Sequence, residues 1–340
     1  MIELLKKLCA LSGPSGREEQ VREYILEHAT HYADEIRVDP MGNLMVFRKG
    51  VNSGKTLMVC AHMDEVGIIV TGITADGYLK FDFVGGVDRR VVMGKRVWVG
   101  EHKVPGVIGV KAFHLCKGDA DKVVPALSDL YIDIGAESKA EAEEVVGLGD
   151  VGTFDDDVFE MGGLLKAKAI DDRVGCAVTM KLLEQQPDCD TWFVFTVQEE
   201  VGARGAGIAA YRLKPDAALI VEGTTAADLP GVPGHKTICK AGGGVVIPFM
   251  DKNTVYNKAL RDCMICLAED NGIAWQTKQM IAGGTDACSI QRSGAGVAVV
   301  GIAAGLRNIH SPASTGSMAD MEGLYKLAQL FMKEYAKGEL

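Results

Sequence analysis

Apolar positions along the chain change their period, and the changes divide it. Ile2, Leu5 and Cys9 fall at helical spacing before the turn formers Ser12-Gly13-Pro14-Ser15-Gly16 stop the segment. A second helix restarts at Arg17, with Val21, Tyr24, Ile25 and His28 on one face and Glu18, Glu19 and Glu27 expected on the solvated side. Residues 43–47 and 56–61 then read as strands. The second, Leu57-Met58-Val59-Cys60-Ala61, is apolar throughout, the pattern of a strand covered on both faces of a parallel sheet.

From about residue 68 the texture shifts to short alternating runs broken by glycine, at 67–70, 78–81, 96–99, 107–110 and 130–134, with one short helix over 138–146. After residue 163 longer helices (173–186, 257–271, 320–335) alternate again with apolar strands (192–197, 217–221, 297–302). The pattern predicts an α/β fold with a central, mostly parallel sheet flanked by helices, built from residues 1–67 and 164–340. Residues 68–163 are expected to form an inserted, smaller β-rich domain.

Composition narrows the function classes. With 36 basic and 46 acidic residues the formal charge is −10, which argues against a dedicated nucleic-acid or anionic-membrane binder. The longest uncharged run, between Arg292 and Arg307, has 14 residues, short of the ~18 needed to cross a bilayer. The opening residues carry Glu3 before Lys6 and Lys7 with no long apolar stretch behind, unlike a secretory leader. Nine scattered cysteines fit a reducing compartment, so the cytoplasm is expected. Cys263 and Cys266, the one CxxC pair, lack a second pair and are expected on the buried side of a helix.

The chemistry gathers in five segments near predicted strand ends, where open α/β sheets place their ligands: 61–67, 169–175, 196–202, 221–224 and 308–312. Each contributes His, Asp or Glu. Imidazole with carboxylate suits zinc, cobalt or manganese, whereas calcium asks for an all-oxygen cage. A hydrolytic pair of divalent ions needs a shared carboxylate. His62, Asp171 and Glu222 would hold one ion, and Asp171, Glu200 and His310 the other. Asp64, two residues from His62, is placed to receive the proton of the imidazole nitrogen turned away from the metal. Glu199 and Glu200 diverge as neighbours in an extended segment, and Glu199 is assigned as general base. Asp172 reads as a helix cap, His235 as a loop anchor or entrance residue, and Asp286 as a turn or pocket-lining residue.

At these segments the chain resembles the dinuclear-metal aminopeptidases of the glutamyl, tetrahedral and deblocking aminopeptidase type. The resemblance runs nearly end to end through His-Met-Asp-Glu-Val-Gly at 62–67, Asp-Asp-Arg-Val-Gly at 171–175, Gln-Glu-Glu-Val-Gly at 198–202, Gly-Gly-Thr-Asp-Ala at 283–287 and Ile-His-Ser-Pro at 309–312. By position it implies metal ligands at His62, Asp171, Glu200, Glu222 and His310, a base at Glu199 and a supporting aspartate at Asp64. It also implies a metallopeptidase-type catalytic domain, peptide substrates, a β insertion that mediates dimerisation, and homo-oligomers from dimers to twelve-subunit tetrahedral shells. Glu222 departs from the pattern, because many relatives carry Asp there. The alternatives are a dipeptidase, carboxypeptidase or deacylase on the same metal core, a glycoside hydrolase working without metal, and a non-catalytic metal or peptide binder.

Overall fold

A computed structural model describes residues 1–116, 123–155 and 157–338. Among them, four strands form the parallel heart of an 11-stranded sheet, in the spatial order Cys189–Thr196, Asn52–His62, Ala217–Thr225 and Ala298–Arg307. The flanks are antiparallel. Leu44–Arg48 and Glu35–Val38 extend one side; Ser314–Ser317, Leu164–Ala167 and Phe159–Met161 extend the other. The parallel pairing expected from sequence is therefore held mainly at the centre, with one short parallel pair, Val245–Val246 with Trp275–Gln276, attached to Ala298–Arg307.

Alternation along the central strands explains the layers. Leu57, Val59 and Ala61 face a core covered by the helices Ile2–Ala10, Glu19–Ala29, Ile170–Leu183, Lys258–Asp270 and Met318–Tyr335. Met58 and Cys60 face the other core, under Ala206–Leu213 and Ala287–Gln291. Both faces exclude water, so the strand carries no polar side.

The insertion closes into a barrel of six strands: Gly67–Ile73, Leu79–Val84, Arg96–Val99, Val104–Gly109, Tyr131–Asp133 and Val151–Phe154. Every observed strand pair in it is antiparallel. Ile68, Val70, Phe81, Val97, Ile108 and Ile132 fill its interior. The chain re-enters the large sheet at Phe159–Met161, which pairs with Leu164–Ala167.

Two expectations are corrected. Glu18 is 2 % exposed rather than solvated: its Oε1 accepts from the backbone of Gly16 at 2.7 Å and of Gln198 at 3.1 Å, and burial pushes its pKa to about 7. It supplies an acceptor to two half-buried peptide groups. Cys266 is exposed and Cys263 only half-buried on Lys258–Asp270, because the buried stripe of that helix runs through Leu260, Met264 and Ala268.

Candidate metal centre

Four parallel strands direct their C-terminal ends to one sheet edge, and that edge gathers the chemistry. His62 ends its strand, Glu222 lies six residues into the next, Glu199 and Glu200 follow Cys189–Thr196, and His310 follows Ala298–Arg307. Asp171 arrives from the start of Ile170–Leu183, across a cis Asp171–Asp172 peptide bond. Ala169, Gln198, Asn308 and His310 hold positive φ between 52° and 58°, at or within two residues of Asp171, Glu199, Glu200 and His310. Left-handed backbone at non-glycine residues stores roughly 1–3 kcal/mol apiece, and here it sits where side chains must be aimed.

Those side chains converge. His62 Nε2 lies 3.1 Å from Glu222 Oε1 and 3.4 Å from Asp171 Oδ1. His310 Nε2 lies 3.2 Å from Glu200 Oε2 and 3.6 Å from Asp171 Oδ2. The two oxygens of Asp171 thus face two different histidines, as a bridging carboxylate must. Glu222, for all its extra methylene, reaches His62. Ligand atoms on a tetrahedral ion with bonds of ~2.1 Å stand about 3.4 Å apart, so these separations fit donor atoms around a divalent cation. Buried Asp171 Oδ1 has no hydrogen-bond partner, which a cation would supply.

The surrounding groups fix this arrangement. His62 Nδ1 lies 3.1 Å from the Asp64 backbone carbonyl and 3.4 Å from its carboxylate, so both oxygens face the ring nitrogen turned away from Glu222 and Asp171. The Asp64 carboxylate instead accepts from the Glu199 and Glu200 amides at 2.9 and 3.1 Å and from Ser15 Oγ at 2.6 Å. On the other side His310 Nδ1 lies 3.0 Å from the carbonyl of Gly86, in the loop that follows the second barrel strand. A side chain at Gly85 (φ +83°) would meet Val66 and Glu200 at 2.9 and 3.3 Å. The insertion therefore braces His310 and Glu200. Gly223 must lack a Cβ as well, because one would stand 2.9 Å from Asp171 Oδ1.

A buried ionic cluster clamps the segment from below, and the sequence reading assigned it no role. Lys168 Nζ donates to both Glu65 oxygens at 2.7 and 2.8 Å, and Arg173 donates to Glu65 Oε1 at 3.2 Å and to the Met63 carbonyl at 2.9 Å. Met63 lies between His62 and Asp64. Asp172, as a cap should, accepts from Gly175 N at 2.9 Å, and its other oxygen takes His62 N at 3.2 Å. Asp286 is 1 % exposed, accepts from Thr196 Oγ1, and lies outside the cavity lining. His235 is exposed and also outside that lining.

Burial dominates the electrostatics. It raises Glu199 well above the usual carboxylate range, with Glu222, Asp286 and Glu200 adding to the rise against the pull of His62. It lifts Glu200 to about 7 and Glu222 to about 8. Burial would lower His310, but hydrogen bonding to Asp171 and the charges of Glu200 and Asp171 carry it to about 9. Asp171, against its burial, is held low by both histidines. Without divalent ions, protons take the place of cations in this cluster. A raised carboxylate and a raised imidazole both bind their proton more tightly in the folded chain than in the unfolded one. Each contributes stability at low pH that is lost as pH rises through its folded value. Chelated protein should therefore melt several degrees lower at pH 9 than at pH 6, and added zinc should remove most of that fall. Calorimetric scans with and without chelator check this; a flat or rising profile without ions would contradict it.

Two histidines, an aspartate facing both and further glutamates at the C-terminal edge of an α/β sheet form a donor set suited to metal-assisted hydrolysis. The profile of the M42 glutamyl aminopeptidase family matches residues 42–327, and the chain belongs to that family. It is 30 % identical to the lysyl aminopeptidase of Pyrococcus furiosus over 341 residues, covering 98 % of this chain and 96 % of that one. Among solved structures, an aminopeptidase from the archaeon Desulfurococcus kamchatkensis superposes with a TM-score of 0.93 at 36 % identity, over 99 % of this chain and 96 % of that one. The TET1 peptidase of Pyrococcus horikoshii, which assembles into a tetrahedron or a large octahedral shell, gives 0.86 at 35 % identity, over 98 % and 99 %. The chain is a peptide hydrolase, and its aminopeptidase-type fold agrees with the sequence expectation. No helix among the described residues is long and apolar enough to cross a membrane.

Proposed function

We propose that the protein is a metal-dependent aminopeptidase that binds two divalent cations, zinc first with cobalt or manganese as alternatives, and removes single residues from unblocked amino termini. His62, Asp171 and Glu222 would hold one ion and Asp171, Glu200 and His310 the other. When bound, the ions supply Lewis acidity for the scissile carbonyl and for water. Glu199 takes the proton of the attacking water on its carboxylate and delivers it to the leaving amine; its raised pKa suits both tasks. Asp64 positions that base through the Glu199 amide and keeps His62 in place. The open cavity of about 730 Å³ admits a peptide end.

The observation that carries the reading is Asp171 facing two histidines while Glu199, in the same cavity, is left free of both. Residues 68–163 are read as a dimerisation insert in a catalytic unit of 1–67 and 164–340, with the barrel ending at Val151–Phe154 and Phe159–Met161 paired in the large sheet, and the chain as a homo-oligomer like the TET1 assemblies. All nine cysteines are free, which supports a reducing, cytoplasmic setting. Free, N-acetylated and C-amidated versions of one peptide test the function, each with and without chelator. Cleavage restricted to peptides with a free amino end, and abolished by chelation, is expected. Equal cleavage of the N-acetylated peptide would favour a deacylase or carboxypeptidase, and chelator-resistant activity on a polysaccharide would favour a glycosidase.

A further inference from the structure

One buried carboxylate beside the metal-binding edge has no part in the chemistry above. Glu18 lies outside the cavity lining, and among the described residues no cation is within ion-pair distance of it. A carboxylate buried without a counter-cation is costly, and here only peptide groups offset the cost. Its Oε1 accepts from Gln198 N at 3.1 Å and from Gly16 N at 2.7 Å. Gln198 is the residue immediately before Glu199.

The Gln198 bond belongs to a series. Four consecutive amides after Cys189–Thr196 each donate to a side-chain oxygen: Val197 to Asn43 Oδ1 at 3.1 Å, Gln198 to Glu18, and Glu199 and Glu200 to the two oxygens of Asp64. The peptide group before Gln198 is therefore pinned by Glu18, and the one after it by Asp64. Between those two anchors Gln198 holds φ at +58°, a left-handed conformation that a non-glycine residue keeps only where its surroundings over-determine it. The turn carrying Glu18 is itself tied to the neighbouring strand end. Ser15 Oγ donates to Asp64 at 2.6 Å and Gly13 N to Glu65 at 3.0 Å, so residues 13–18 join the His62 strand end to the segment of the base.

We propose that Glu18 is a positioning residue for Glu199: it holds the left-handed turn at Gln198 that sets the direction in which the Glu199 carboxylate leaves the backbone. This rests on the reading of Glu199 as general base. Without the Glu18 acceptor, the peptide group before Gln198 is free to rotate, and φ at Gln198 relaxes toward an ordinary value while Asp64 still holds the amide beyond. The base then swings from its place, and a misplacement of ~1 Å at a reacting group costs up to about 10²-fold in rate. Because Glu18 does not line the cavity, the loss falls on kcat and leaves substrate binding in place.

The test uses the metal-loaded full chain with leucine and glutamate p-nitroanilides. Glu18→Ala should lower kcat about 30-fold, with KM within about twofold and metal content unchanged. Glu18→Gln keeps an acceptor oxygen for the Gln198 amide and should restore kcat to within about threefold of wild type. In a Glu199→Gln background, Glu18→Ala should change the residual rate less than about twofold, because the group it positions is gone. Equal losses in both backgrounds, a Glu18→Gln as slow as Glu18→Ala, or lost metal would overturn the role. Hydrogen exchange reads the placement without turnover. Glu18→Ala should speed exchange of the amides of residues 197–200 about tenfold or more and leave those of Leu57–Ala61 unchanged, whereas unchanged protection at Gln198 would overturn the proposal. Should Glu18→Ala not fold, Glu18→Asp withdraws the acceptor by one methylene: about fivefold lower kcat is expected, and an unchanged kcat would overturn the role. Should Glu199→Gln stay active while exchange at residues 197–200 still quickens in Glu18→Ala, the base reading falls and Glu18 stands as the anchor of that segment.

Discussion

Glu199→Gln should leave metal content and melting temperature near wild type while kcat falls by about 10³-fold. Glutamine keeps the volume and the backbone amide that Asp64 receives, but it cannot take a proton from water. General-base removal costs roughly 10²–10⁴-fold, so the middle of that range is expected. Steady-state turnover with elemental analysis on the same sample decides it: activity within tenfold of wild type takes the base role from Glu199, and a loss of metal would make it a ligand instead. KM should change little, because the carboxylate acts chiefly in the transition state.

The second large effect concerns folding. Glu65→Ala leaves Lys168 and Arg173, 2 % and 0 % exposed at the side chain, without their shared carboxylate. Breaking a buried ion pair by removing one partner costs roughly 3–5 kcal/mol, and the same is expected here in urea unfolding. Because Arg173 also holds the Met63 carbonyl, the metal affinity of His62 should weaken together with stability. A cost under about 1 kcal/mol would show that the cluster is not the clamp under the metal-binding edge.

Why the sequence showed some of this and hid the rest follows from what each residue must satisfy locally. Leu57–Ala61 declares itself because a strand buried on both faces has no polar position to interrupt the run. The five candidate ligands were legible because imidazoles and carboxylates at strand ends form a donor set, and because their flanking motifs resemble those of a known family. Ser314–Ser317 was not legible: it is buried along its whole length yet polar in sequence, its burial coming from neighbouring strands rather than from its own side chains. The Glu65–Lys168 contact joins residues 103 apart, and in a linear text each looks like any surface charge. Glu18 misled for the same reason, since a helical face predicts solvent until the Gly16 and Gln198 amides are brought to it. The role of Asp64 widened: spacing placed its carboxylate beside His62, where it lies 3.4 Å from Nδ1, and the fold adds the Asp64 backbone carbonyl at 3.1 Å and the Glu199–Glu200 amides as further partners.

The proposed function requires Asp171 to join two cation sites at one sheet edge. Crystals of the protein grown with zinc, measured on both sides of the zinc absorption edge, test it most directly. Two anomalous peaks per chain are expected, one among His62, Glu222 and Asp171 and the other among His310, Glu200 and Asp171. A single peak, or peaks that Asp171 does not touch, would contradict it.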